Sequence, residues 1–167
     1  MLIGFASFAE AAGGVAYVNY PELLNKAPQS EASRELLKRE FATRLTRIKN
    51  EHAAVKKLSV DLQSLDPDVN QLERASAIEK LKSARATLKN DEQSYDTAMT
   101  LRQQQLVADL KDLILKEIQA SSRLNHFTVV LEQGVLYAAP DVDITQEVLA
   151  RLAQDYAAAQ AGLRKQP

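Results

Sequence analysis

SEASRELLKREFATRLTRIKNEHAAVKKLSVDLQSLDPDV, residues 30–69, decides the fold. From Ser30 to Leu65 it has neither glycine nor proline. Leu37, Phe41, Leu45, Ile48, Val55, Leu58, Leu62 and Leu65 recur at steps of mostly three, four or seven, which is one stripe of an α-helix. Ser30 is a natural N-cap, with Ser33 the alternative. At 1.5 Å per residue this helix reaches about 55 Å, too long to bury itself in a small domain, so it must project. Asp66-Pro67-Asp68 then ends it, and Asp68 can cap a successor.

The successor runs from about Val69 to Arg123, again without glycine or proline. Its stripe comprises Leu72, Leu81, Ala84, Leu88, Tyr95, Met99, Leu106, Leu110, Leu113 and Ile118. Asn90-Asp91-Glu92 is its weakest point, where a kink is expected. Two long helices joined by so short a break lie antiparallel. Their seam is imperfect, because His52, Ser59, Asp91 and Arg102 fall on inward positions, and polar seam residues loosen packing.

Strand signals flank this hairpin. Upstream, Val15-Ala16-Tyr17-Val18-Asn19-Tyr20 is β-branched and aromatic, bounded by Gly13-Gly14 and Pro21. Pro21 can open a short helix through Leu23 and Leu24, which Pro28 interrupts. Downstream, Phe127–Leu131 and Val135–Ala139 read as a β-hairpin about Glu132-Gln133-Gly134. A helix capped by Asp143 or Thr145 follows, with Val148, Leu149 and Leu152 on its apolar face. The expected class is α+β. A β-body of three strands (residues 12–28 and 125–156) carries a helical hairpin over residues 29–124, its tip is near 65–69, and residues 157–167 fray. Three short strands leave open edges, so the body needs other copies of the chain to complete its sheet. Val15, Tyr17, Val18, Val129, Val130, Leu131, Val135 and Tyr137 are its expected core and self-association residues.

Composition supports long solvated helices, with 26% charged residues, 5% aromatics, five glycines and five prolines. A net charge of −1 gives no basic surplus for nucleic acid. The absence of cysteine removes disulfides and thiol chemistry. No apolar run is long enough to span a bilayer. Met1–Phe8 is apolar, and Ala9-Glu10-Ala11 has the form of a signal-peptidase site, without the usual basic start. Residues 1–11 are therefore either part of a signal peptide or a plain apolar first segment. His52 and His126 lack partnering ligands, and Asp66/Asp68 and Asp141/Asp143 stand where caps and turns need them. No phosphate loop, dinucleotide fingerprint or nucleophile elbow occurs. No cofactor, metal or catalytic residue is expected, and the chain reads as a non-enzyme.

Several segments together resemble the Skp/OmpH family: Val15–Asn19, Phe127–Leu131, Gly134–Ala138, and Asp143-Ile144-Thr145 followed by Glu147-Val148-Leu149. Their order matches over residues 15 to about 155. The resemblance implies a periplasmic homotrimer whose helical arms hold unfolded outer-membrane β-barrel proteins without ATP. Family members are distinctly basic, whereas this chain is near neutral. Lipopolysaccharide binding, proposed for some members through basic residues near the arm base, is doubtful here, because only Arg102 lies in a comparable stretch beside Gln103-Gln104-Gln105.

Charge is nevertheless graded along the chain. Residues 44–89 hold ten cations against six anions, +4, and the remainder carries −5. Most of these charges individually solvate a helical face, but together they attract acidic clients. Leu58, Leu62 and Leu65 suit the seam, whereas Val60 and Val69 fall off it. Lys56, Lys57, Val60, Val69, Arg74, Lys82 and Arg85 are the expected client-binding residues. Two other readings compete. Prefoldin places its strands between its helices, the reverse of the order here. A structural adaptor docking a folded partner calls for a more regular seam.

Overall fold

The computed structural model describes residues 14–66 and 70–163, with the side chain of Leu163 left aside. The expected signal segment, Pro67, Asp68 and Val69 lie outside the described residues. The element order is β1 (Gly14–Tyr17), α1 (Tyr20–Lys26), α2 (Pro28–Gln63), α3 (Gln71–Leu124), β2 (Phe127–Leu131) and α4 (Thr145–Leu163). Contacts divide the chain into two units, one formed by its two ends up to Glu31 and from Ala108, the other by Ala32–Val107. The hairpin unit is thus shorter than the expected span of 29–124, because the Ala108–Leu124 part of α3 belongs to the body.

In the body, β1 and β2 pair in parallel, with Val15 opposite Val129, Ala16 opposite Val130 and Tyr17 opposite Leu131. Gly14 faces Phe127 so closely that a Cβ would stand 2.9 Å from its ring, so no larger residue fits without displacement. The other edge of β1 is taken by the chain before α4. Tyr17 N–H donates to Val142 O at 2.8 Å, and Ile144 N–H donates to Tyr17 O at 3.0 Å. The strand is therefore hydrogen-bonded on both sides although the sheet has two strands among the described residues.

The expected third strand and its hairpin do not form. Gly134 does adopt positive φ, +75°, but residues 135–139 stay outside regular structure. Residues 142–144, beyond Pro140, take the other edge of β1, whereas residues 135–139 make no ladder with β2. Leu136 and Tyr137 are left fully and 80% exposed, respectively.

The body core is also more helical than expected. Ala16 and Val18 pack with Leu23 and Ala27, with Leu110, Ile114 and Ile118 of α3, and with Ile144, Val148 and Leu152. Of the residues expected to form the core, Val18 is buried and Val130 packs against the cluster. Tyr17 and Val135 are half-buried, while Val15, Val129, Leu131 and Tyr137 are exposed. Side chains alternate along a strand, so one face of each strand is left uncovered among the described residues.

The caps differ from expectation in detail. Asn19 Oδ1 accepts from Glu22 N–H at 3.1 Å and starts α1, with Pro21 in its first turn. Ala27 is extended, as a residue before proline prefers, so α1 stops before Pro28 as expected, and Pro28 also opens α2. Ser30 is inside that helix, buried, with its hydroxyl donating to Leu24 O at 2.6 Å. Asn70 caps α3 by accepting from Leu72 N–H at 3.0 Å. Helix α3 runs unbroken through Asn90-Asp91-Glu92. At its end His126 takes the left-handed conformation, φ 58°, and turns the chain into β2. The expected frayed tail is helical through Leu163, because alanine and glutamine sustain a helix.

Candidate client-binding surface

Within the hairpin unit α2 and α3 run antiparallel, as the cross-helix pairs show. Glu40 meets Arg102, Phe41 meets Tyr95, Arg47 meets Asp91 and His52 meets Glu92. Phe41, Ile48, Leu81 and Leu88 are the buried seam residues. The Phe41 and Tyr95 rings meet edge-to-face with centroids 5.6 Å apart, and the Arg44 guanidinium lies 5.8 Å from the Phe41 ring centre. Ser59, Asp91 and Arg102 are half-buried in the seam, as expected. His52 instead stands on its flank, with 59% of its side chain exposed, its Nε2 2.7 Å from Glu92. Leu45 and Leu72, expected on the stripe, are 40% and 77% exposed.

Polar contacts fill the gaps between the hydrophobes. Arg102 donates two hydrogen bonds to Glu40, at 2.8 and 2.9 Å. That bidentate contact holds the Glu40 carboxyl below the usual carboxylate range. Arg47 bridges Glu51, at 3.2 Å, and Asp91. Burial first, then contact with the Asp91 carboxylate, push the Glu51 carboxyl up.

Helical spacing gives the hairpin two unlike broad faces. In an antiparallel pair, residues rotated the same way from the seam lie on the same side. One side carries Lys49, Lys56 and Val60 of α2 with Ile78, Lys82, Arg85 and Lys89 of α3. All seven are exposed, and Val60 and Ile78 are 51% and 47% so. Leu45 and Lys89 line one opening on this side. The other side carries a groove of about 490 Å³ whose apolar wall is Leu58, Leu62, Leu65, Leu72 and Ala77, rimmed by Asp61, Glu73 and Lys80.

The structure thus brings together four of the expected client-binding residues, Lys56, Val60, Lys82 and Arg85. Lys57 is exposed on the far side of α2. Arg74 is half-buried, and its guanidinium donates to Asp66 O at 3.3 Å, so it braces the turn rather than reaching outward. Val69 lies outside the described residues. Sequence reasoning missed Ile78, whose signal is that it falls off the Ala77–Leu81–Ala84–Leu88 stripe. Leu58, Leu62 and Leu65, which suit the seam by sequence, also wall the groove. Among the described residues no group of three or more His, Asp or Glu side chains is placed to hold a metal ion. No helix among them is long and apolar enough to cross a membrane.

Against this geometry the comparisons are specific. The family described as outer membrane protein (OmpH-like) matches residues 14–152, most of the chain. The chain belongs to the OmpH-like family. A crystal structure of another OmpH-like protein, a proposed outer membrane chaperone from Caulobacter crescentus CB15, shares the fold. Its TM-score is 0.75, with 18% sequence identity over 90% of each chain. Comparison with curated proteins gives no match. Within the OmpH-like chain, Asp143-Ile144-Thr145 now has a structural role. Asp143 Oδ1 accepts from Thr145 N–H at 2.9 Å and from Thr145 Oγ1–H at 2.5 Å. Thr145 Oγ1 in turn accepts from Asn19 N–H at 2.8 Å. One hydroxyl therefore ties the start of α4 to the residue that caps α1. Arg102, the one cation in the stretch compared with lipopolysaccharide-binding members, is held by Glu40.

Proposed function

We propose that this chain is a holdase chaperone of the periplasm that binds unfolded outer-membrane β-barrel proteins without ATP and keeps them from aggregating. Membership of the OmpH-like family supports the class of activity. The observation that carries the binding mode is the exposed face of Lys49, Lys56, Val60, Ile78, Lys82, Arg85 and Lys89. Lys82 has an ion-pair partner in Glu79, at 3.5 Å, with both groups exposed, which binds it weakly. Interleaved cations and single apolar side chains suit clients of many sequences, because such a surface attracts acidic chains and makes several weak contacts. The working form is a homotrimer. Its support is the exposure of Val15, Val129, Leu131, Leu136 and Tyr137 on one small body, apolar surface that further copies would cover.

The test is suppression of aggregation when an acidic outer-membrane β-barrel protein is diluted out of urea, followed by light scattering with no nucleotide present. Wild type suppresses scattering, and its capture rate falls as salt is added. A variant carrying Lys56→Glu, Val60→Ser, Lys82→Glu and Arg85→Glu, all at exposed positions, loses suppression while keeping its helical content. Equal suppression by the two proteins would remove this surface from the mechanism. Capture of the folded β-barrel as readily as the unfolded one would favour an adaptor.

A further inference from the structure

Midway along the hairpin unit, three carboxylates gather where a seam ordinarily places hydrophobes. Glu51 of α2 faces Asp91 of α3, and Arg47 bridges the two. Glu92 stands beside them and is paired with His52. Arg44 and Tyr95 line the small cavity on the Arg47–Asp91 side, and Lys89 stands near Glu92 on the other. Glu51 Oε2 has no solvent-accessible surface and no hydrogen-bond donor. A buried carboxylate oxygen without a donor, set against a second carboxylate, is an unfavourable arrangement as long as both are ionised. A single proton changes that. On Glu51 it turns the contact into an O–H···O⁻ hydrogen bond to Asp91, one of the stronger types, while Arg47 stays on both groups.

We propose that Arg47, Glu51 and Asp91 form a proton-operated latch across the hairpin: mild acid fastens α2 to α3 at this level, and rising pH loosens them. The sign follows from linkage. The Glu51 carboxyl takes its proton more readily folded than unfolded. Its penalty is therefore full above the folded value and is relieved as pH falls through it towards the ordinary carboxylate range. The adjoining hydrophobic levels at Ile48 and Leu88 do not titrate, so the response is confined to this segment.

The experiment is hydrogen exchange by mass spectrometry on the full chain at about pH 4.5, within the ordinary carboxylate range, and at about pH 7.5, corrected for intrinsic exchange, and it needs no client. Residues 44–55 and 88–95 of the wild type are expected to be several-fold more protected in acid, while residues 114–121 of the body change little. Glu51→Gln, which keeps the side chain's shape and removes its charge, is expected to be protected at both pH values. Equal wild-type protection at the two pH values in residues 44–55 and 88–95 overturns the latch, and so does a Glu51→Gln variant less protected than wild type at the higher pH. A second measurement stands apart from any variant. The side-chain carboxyl carbon of Glu51, followed by NMR in the wild type, must titrate above an ordinary glutamate, and titration at or below it overturns the proposal.

Discussion

Replacing Thr145 by valine tests the hydroxyl that joins the two ends of the chain. Valine keeps the shape of threonine and deletes only its hydrogen bonding. Two bonds vanish, the one accepted from Asn19 N–H at 2.8 Å and the one donated to Asp143 at 2.5 Å. Thr145 is only 2% exposed, and Asn19 is half-buried, so water restores little at Oγ1. Stranding a buried backbone donor costs about 1–3 kcal/mol, and the lost bond to a carboxylate adds about 1 kcal/mol because Asp143 is exposed and stays hydrated. The expected loss is about 2–4 kcal/mol. Thr145→Ser is the control. It keeps the hydroxyl and loses one buried methyl, about 0.8 kcal/mol. The assay is urea unfolding followed by far-ultraviolet circular dichroism at one fixed chain concentration, since association would add to stability. A valine variant as stable as the serine variant, or within about 0.5 kcal/mol of wild type, would refute the assignment of this hydroxyl as the tie.

Three further outcomes follow from the same structure. Leu152→Ala, at a site with no exposure between α1 and α4, is expected to lose about 2–5 kcal/mol in the same urea assay. Glu40→Gln is expected to lower stability at neutral pH. Because Arg102 holds the folded Glu40 carboxyl down, that contribution is present above the ordinary carboxylate pKa and disappears as pH falls through the folded value, so wild type and variant converge in acid. This is opposite in sign to Glu51, so one seam holds two carboxylates with contrary pH responses. Leu136→Asp, at a fully exposed position outside any strand, is expected to reduce the mass measured by light scattering from three chains towards one. An unchanged mass would exclude this residue from the proposed trimer contact.

Much of the architecture follows from local pattern. The spacing of Leu37, Phe41, Ile48, Leu58 and Leu62 specifies a helical stripe, and the absence of glycine and proline lets the helix run. The β-branched runs at Val15 and Phe127 specify strands, because their side chains favour extended backbone. Val60 falls off the stripe, and its exposure follows. The polar seam positions Asp91 and Arg102 were also legible, since heptad counting needs only sequence.

Pairing across distance was not legible. Residues 135–139 have the composition of a strand, but composition does not supply a partner: the other edge of β1 goes to Val142 and Ile144, and among the described residues β2 pairs with β1 alone. Ser30 has the chemistry of a cap, yet Pro28 starts the helix earlier and leaves the Ser30 hydroxyl to the carbonyl of Leu24. Arg74 and Arg85 are the same residue type on one helix; only the fold gives Arg74 the Asp66 carbonyl to brace and leaves Arg85 open to solvent. The charge of Glu51 is written in the sequence, but its meeting with Asp91, forty residues away, is not. Periodicity reports what a segment offers to its surroundings. What it receives is decided by hydrogen bonds and burial between segments far apart in the chain, which only the tertiary structure brings together.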